Sequence, residues 1–242
     1  MSWLKQWLNL PRVPEPEVMD DSGEVEAYSS AAAQAYLNKI DNTFVEHAER
    51  LLRTRSARNA SGHALDVGCG PGQIVLKLAQ RLPGWQFSGV DRSANMVRQA
   101  LAARDEITQR TGDNLASRVQ FSVGDGNKLT FADASMELVI CNSVLHHLEQ
   151  SVRLFAEMAR VAAPGGVILL RDLRRPSRLA YPLQVRWYGR HYSGLMHKLY
   201  CDSVRAAYTP EELDALLRDS PLRDAHVFTL GRTHLGFERT AS

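Results

Sequence analysis

Three glycines at alternate positions, Gly68, Gly70 and Gly72, constrain the fold more than any other feature of the sequence. An apolar run at 64–67 precedes them, and an apolar helical pattern at 74–79 follows them. Glycines remove Cβ atoms from a turn, so that a ligand can contact the backbone there. The unpaired N–H groups of the following helix point toward the same place. The stretch therefore predicts a buried strand, a ligand-binding turn and a helix.

Strand and helix patterns alternate along the rest of the chain. The predicted strands are 64–67, 86–90, 119–123, 137–142, 167–172, 225–230 and 233–237. This alternation predicts an α/β fold with a doubly wound sheet and helices on both faces. Asp91 and Asp125 follow the second and third strands. Because the carboxyl ends of parallel strands meet at one edge, these acids and the glycine turn should share one crevice.

Length and composition limit the remaining possibilities. The chain has 242 residues and a net charge of +2, which suits one α/β domain with additions. Its three cysteines are isolated in sequence, so neither a disulfide framework nor a metal site is predicted. No apolar run reaches the ~20 residues that a membrane-spanning helix needs. These features together favour a cytoplasmic protein without a transmembrane segment.

Three motifs resemble those of the class I S-adenosylmethionine (SAM)-dependent methyltransferases. The stretch 66–72, Asp-Val-Gly-Cys-Gly-Pro-Gly, resembles their motif I, whereas a dinucleotide fingerprint would place glycine where the chain has Gln73. Residues 141–148 resemble motif IV of the small-molecule enzymes, and Pro-Gly-Gly at 164–166 is a further feature of the class. The resemblance implies a Rossmann-like, seven-stranded sheet with an antiparallel last strand, SAM as cofactor, and methyl transfer.

The resemblance also implies a set of cofactor-binding residues. Gly68 to Gly72 would hold the methionine half of SAM, Asp91 the ribose diol, and Asp125 the adenine. Asp91 could instead cap the next helix, and Asp125 could simply form a turn. The predicted set is Asp66, Gly68, Cys69, Gly70, Gly72, Asp91, Arg92, Met96, Asp125, Gly126, Asn142 and Ser143.

Catalysis and acceptor binding are predicted from two further segments. His146 and His147 follow the fourth strand, and on a helix they would point about 100° apart, so only one should face the site. His147 is the candidate base, with a pocket-shaping or helix-packing role as the alternative. Residues 173–208 form an insertion rich in aromatic and basic side chains. It predicts an acceptor pocket for an anionic or aromatic small molecule, with Arg174, Arg175, Tyr188 and Tyr192 as its residues.

Other interpretations remain open at this stage. A nucleic-acid groove would also combine aromatic and basic residues, but a small-molecule acceptor is favoured. Residues 1–56 are predicted to form an N-terminal extension with lid helices, and 57–242 the methyltransferase domain. The acidic N-terminal segment and the basic insertion would close as a lid, or the N-terminus would serve as an oligomerisation arm. The alternative functions are other SAM chemistry, such as tRNA modification, and a catalytically silent SAM-binding module.

Overall fold

The computed structural model describes residues 7–15, 31–54, 61–149 and 151–240, with the backbone alone at 31–36 and 54. Its centre is a sheet of seven strands in the order β3-β2-β1-β4-β5-β7-β6. The strands are His63–Val67 (β1), Gln86–Asp91 (β2), Val119–Val123 (β3), Met136–Asn142 (β4), Ala162–Leu173 (β5), His226–Leu230 (β6) and His234–Arg239 (β7). Neighbouring strands from β3 to β5 are parallel, and β7 is antiparallel to both β5 and β6. The predicted fold class is therefore confirmed, including the antiparallel last strand.

Helices cover both faces of this sheet. They are Ala31–Thr54 (α1), Gln73–Arg81 (α2), Ala94–Thr111 (α3), Ser151–Val161 (α4), Tyr181–Tyr188 (α5), Gly194–Ala206 (α6) and Pro210–Arg218 (α7). Alternate residues of β4 and β5 supply two separate cores because successive strand side chains point to opposite faces. Leu138 and Ile140 pack with α1, α2 and α3, whereas Val139 and Cys141 pack with α4 and α7. The sheet is thus buried on both sides, as a doubly wound fold requires.

The chain between β5 and α7 forms a helical cap, which we define as residues 174–208. It contains α5, a short 3-10 helix at Gly189–His191, and α6. The helix α7 then begins with a capping box, in which the Thr209 hydroxyl accepts from Glu212 N and the Glu212 carboxylate accepts from Thr209 N. Among the described helices, none is long and apolar enough to span a bilayer.

The histidine-containing stretch after β4 differs from its prediction. Instead of a regular helix it forms a single 3-10 turn, Leu145–His147. Ser143, two residues before this turn, has a positive φ of 59°. Both histidines lie in this turn, after the end of β4.

Candidate cofactor and acceptor site

A cavity of about 260 Å³ lies where β1 and β4 diverge, the point at which strand order reverses. Ligand sites of open α/β sheets are found at this position. Eleven of the twelve predicted cofactor residues line the cavity, and Gly72 is the exception. Those lining it are Asp66, Gly68, Cys69, Gly70, Asp91, Arg92, Met96, Asp125, Gly126, Asn142 and Ser143.

The three glycines of the turn have different roles. All three have positive φ, 76° at Gly68, 50° at Gly70 and 79° at Gly72. A Cβ on Gly72 would lie 2.7 Å from the Phe121 ring, so this glycine lets α2 begin close to β3. A Cβ on Gly70 would meet no described atom within 4 Å and would project into open space. The structure therefore separates a packing glycine from a cavity glycine.

Asp91 is held at the end of β2 by backbone donors. Its carboxylate accepts from Gly70 N at 2.8 Å and from Ser93 N at 2.9 Å. The N-cap of α3 is Ser93, whose hydroxyl accepts from Met96 N. Burial raises the pKa of Asp91, and the backbone hydrogen bonds oppose that rise. The capping role is thus filled by Ser93, while Asp91 faces the cavity and fixes the glycine turn.

Asp66 and Asp125 are in contrasting environments. Asp66 is buried in β1, and its Oδ1 has no hydrogen-bond partner among the described residues. Burial, with smaller contributions from the charges of Asp91 and Asp41, raises the pKa of Asp66 to about 8. Asp125 accepts from Asn127 N at 2.8 Å within its turn, as the turn interpretation requires, and it also lines the cavity.

Both histidines after β4 line the cavity, so the prediction that only one faces it is wrong. Their ring centroids are 4.1 Å apart. His146 is fixed by Asp172 at the end of β5, with Nδ1 2.6 Å from Oδ1. Burial alone would lower the pKa of His146, but the charge and hydrogen bond of Asp172 and the charge of Glu15 raise it. Burial opposes ionisation of Asp172, yet His146 lowers the pKa of that carboxyl overall. The two side chains form a buried ion pair.

Glu15, which belongs to the acidic N-terminal segment, also lines the cavity. Its Oε2 lies 3.8 Å from His146 Nε2 and 3.7 Å from His147 Nδ1. Burial is the main reason that the pKa of Glu15 is raised. These three residues bring potential metal-ligand atoms within 4.8 Å of one another, although no such cluster was expected. Glu15 is distant in sequence, so ligand spacing could not have revealed it.

The described N-terminal segment, residues 7–15, crosses the cap as a strap. Arg12 Nε donates to Ala206 O at 2.6 Å, and its Nη2 donates to His146 O at 3.1 Å. The Arg12 guanidinium also stacks 4.2 Å from the centroid of the Tyr208 ring. Val13 N donates to Arg205 O at 3.1 Å. The Arg12 side chain and backbone hydrogen bonds thus help to hold the strap, which places Glu15 in the cavity.

The predicted acceptor residues divide into two groups. Tyr188 and Tyr192 line the cavity, but Arg174 and Arg175 do not. Arg175 is 2% exposed; it donates to Leu10 O at 2.8 Å and also to Ala207 O and the Glu212 carboxylate. The hydrogen bonds of this buried guanidinium join the strap, the cap and α7. The prediction that Arg174 and Arg175 lie at the mouth of the acceptor pocket is therefore corrected: neither residue lines the cavity.

Comparison with known proteins places the chain among methyltransferases. The family described as "Methyltransferase domain" matches residues 65–170. An uncharacterized methyltransferase of Schizosaccharomyces pombe is 31% identical over 61% of this chain and 55% of its own length. The ubiquinone/menaquinone biosynthesis C-methyltransferase of Desulfotalea psychrophila is 27% identical over 90% of each chain. The chain thus spans only part of the first of these relatives and most of the second.

Solved structures share the fold. The plantazolicin methyltransferase BpumL, crystallised with a pentazolic desmethylPZN analog and S-adenosylhomocysteine (SAH), gives a TM-score of 0.66 at 15% identity, covering 92% of each chain. The phosphoethanolamine N-methyltransferase 2 of Haemonchus contortus, in complex with SAM, gives 0.56 at 20% identity over 76% of this chain and 38% of that one. These likenesses show that the chain has the same fold. The family match over residues 65–170, the motifs and the relatives together support a class I SAM-dependent methyltransferase with SAM as its cofactor.

Proposed function

We propose that this protein transfers the methyl group of SAM to a small aromatic or otherwise apolar acceptor bound beneath the cap. One observation carries the proposal: a single cavity joins the glycine turn and strand-end acids to paired histidines and cap tyrosines. We favour an aromatic over an anionic acceptor because Tyr188 and Tyr192 line the cavity, whereas Arg174 and Arg175 do not. Two relatives carry the name demethylmenaquinone methyltransferase, which supports the same acceptor class.

The cavity residues suit SAM as the methyl donor. Gly68 and Gly70 would lie against its methionine half, Asp91 would accept from the ribose hydroxyls, and Asp125 from the adenine amino group. The buried Asp66 Oδ1, which has no partner among the described residues, could accept from the ligand ammonium. When bound, SAM supplies an electrophilic methyl carbon on a sulfonium sulfur. Alignment alone can contribute several kcal/mol to such a displacement.

Proton removal from the acceptor would fall to the residues at the opposite end of the cavity. His147 is the proposed base, because it lines the cavity and His146 is already engaged in an ion pair with Asp172. The Glu15 carboxylate, 3.7 Å from His147 Nδ1, would stabilise the imidazolium that forms when His147 accepts a proton. The Asp172–His146 pair would position the 3-10 turn, since Asp172 also accepts from His146 N at 3.1 Å.

Product analysis tests this proposal. The full chain is incubated with SAM and a panel of hydroxyquinones, phenols and amines, and SAH and methylated products are measured by mass spectrometry. We expect SAH formation with aromatic acceptors. His147→Gln should lower kcat by about 10²-fold or more while SAM affinity is kept, and His226→Gln, an exposed control on β6, should leave both unchanged. SAM binding without turnover of any acceptor would favour a silent module, and SAM breakdown to products other than SAH would favour different chemistry.

A further inference from the structure

The outward face of the cap is unusually apolar. Leu179, Leu183 and Trp187 are 60%, 71% and 61% exposed. They recur every four residues, and the last two are one turn apart on α5, so they lie on one face of the cap. Single exposed apolar residues are common on protein surfaces, but a row of large ones marks an interaction site.

The opposite side of the same helix faces inward. Gln184 is buried, and Tyr188 lines the cavity. One face of α5 therefore packs against the rest of the protein, and its apolar outward face is exposed to solvent. Leucine and tryptophan side chains are usually buried when a protein folds. Packing within the described residues therefore gives no reason for these three side chains to be exposed.

The strap extends this apolar row. Leu8 O accepts from Arg178 N at 2.9 Å, which brings the strap beside the start of the row. Trp7, the residue before, is 45% exposed. Two exposed tryptophans thus lie on the surface formed by the strap and the cap. Tryptophan is enriched where a protein meets the interfacial region of a bilayer.

The charged residues that flank the row along the cap sequence are basic. The sequence contains no carboxylate from residue 173 to residue 201. Arg178, Arg186 and Arg190 are exposed on the cap, and the Arg190 guanidinium lies 4.1 Å from the Trp187 ring centroid. Long basic side chains that flank exposed leucine and tryptophan suit an anionic lipid surface, because their apolar stems can be buried while the charges reach the headgroups.

We propose that the row Leu179, Leu183 and Trp187, together with Trp7 and the three flanking arginines, docks the protein on an anionic bilayer surface. The cap would then lie against the lipid with its inner face over the cavity, and the acceptor would be a lipid-soluble molecule. The statement about the acceptor rests on the proposed function, whereas the docking does not.

Vesicle sedimentation of the full chain tests the docking. The probes are phosphatidylcholine vesicles and vesicles of equal parts phosphatidylcholine and phosphatidylglycerol. We expect binding to the anionic vesicles and at least ten-fold weaker binding to the neutral ones, because each arginine near an anionic surface contributes about five-fold to partitioning. The double variant Leu183→Gln/Trp187→Gln should lose most of the binding. Val123→Gln, at a residue 58% exposed on β3 and outside the cap, should keep it.

A charge variant separates the two parts of the surface. Arg186→Gln/Arg190→Gln should weaken binding to anionic vesicles by about 25-fold and leave binding to neutral ones nearly unchanged. Arg110→Gln/Arg153→Gln, which removes two exposed arginines outside the cap, should change neither. Equal sedimentation of wild-type and apolar-row variants would overturn the proposal. So would a dimer, seen by light scattering, that Leu183→Gln/Trp187→Gln dissociates, because the row would then be covered by a second copy. SAM affinity, measured by calorimetry in the same variants, tests the proposed function separately.

Discussion

Replacement of the buried carboxyl in β1, Asp66→Asn, should change how stability depends on pH. The pKa of Asp66 is raised to about 8 in the folded protein, mainly by burial, against about 3.9 in an unfolded chain. Between these two values the folded state holds a proton that the unfolded state has released. This group therefore stabilises the fold fully below about pH 4, and that stabilisation is lost as pH rises through about 8. The neutral amide of asparagine has no such dependence.

The size of the effect follows from the pKa difference. One pH unit inside the window corresponds to about 1.4 kcal/mol. From pH 5 to pH 7 the wild-type protein should therefore lose roughly 2–3 kcal/mol of unfolding free energy relative to Asp66→Asn. Comparison of the two proteins removes the contributions of other titrating groups, as long as Asn leaves those groups unperturbed. At pH 8 the variant should gain still more relative to the wild type.

Urea unfolding, followed by circular dichroism at half-unit steps from pH 5 to pH 8, measures this difference. Asp219→Asn is the matched control, because Asp219 is exposed at the end of α7. Its stability curve should run parallel to that of the wild type. If the Asp66→Asn curve also ran parallel, Asp66 would be ionised in the folded protein throughout this range. The argument from burial would then be refuted, and an unseen partner of Oδ1 would be required.

Four further variants test the cavity and the strap. Asp91→Ala should weaken SAM binding by about 1.5–3 kcal/mol for each charge-assisted hydrogen bond to the ribose that is lost, as measured by calorimetry. If the affinity were unchanged, the only remaining role of Asp91 would be to fix the glycine turn. Gly70→Val should abolish SAM binding in a folded protein, whereas Gly72→Val should lower the melting temperature because its side chain would meet Phe121. Equal behaviour of the two glycine variants would contradict the assignment of separate roles. Arg12→Gln should increase proteolysis within residues 7–15 and lower the free energy of unfolding by about 2 kcal/mol. High salt should leave the strap of the wild-type protein protected from proteolysis. A lid held by exposed charges would instead lose its protection in high salt.

The fold was predictable because local patterns determine it. Alternating strand and helix signals fix the doubly wound sheet, and a capping box such as that of Thr209 and Glu212 is visible within four residues of sequence. The convergence of the candidate cofactor residues on one cavity was predictable for the same reason. These residues lie at strand ends, and strand ends in a parallel sheet converge whatever the rest of the chain does.

The acceptor side was not predictable because it depends on long-range contacts. Arg175 follows β5 like a residue at a pocket mouth, yet it bonds to Leu10 O across 165 positions of sequence. Glu15 reaches the histidines only because the strap is anchored on the cap. His146 and His147 both line the cavity, and His146 is held there by Asp172, 26 residues away in sequence. No periodicity or residue spacing records any of these contacts.

The electrostatics of the cavity suit a cationic ligand. The charges of Asp91 and Asp41 each contribute to the raised pKa of Asp66, so these two carboxylates oppose the ionisation of Asp66. A ligand with a sulfonium and an ammonium group relieves that repulsion, and its binding should favour the ionised form of Asp66. Methyl transfer then removes one positive charge, since the sulfur of the product is neutral. The attraction to the product is therefore weaker than the attraction to the donor, and these carboxyls should hold SAH less tightly than SAM.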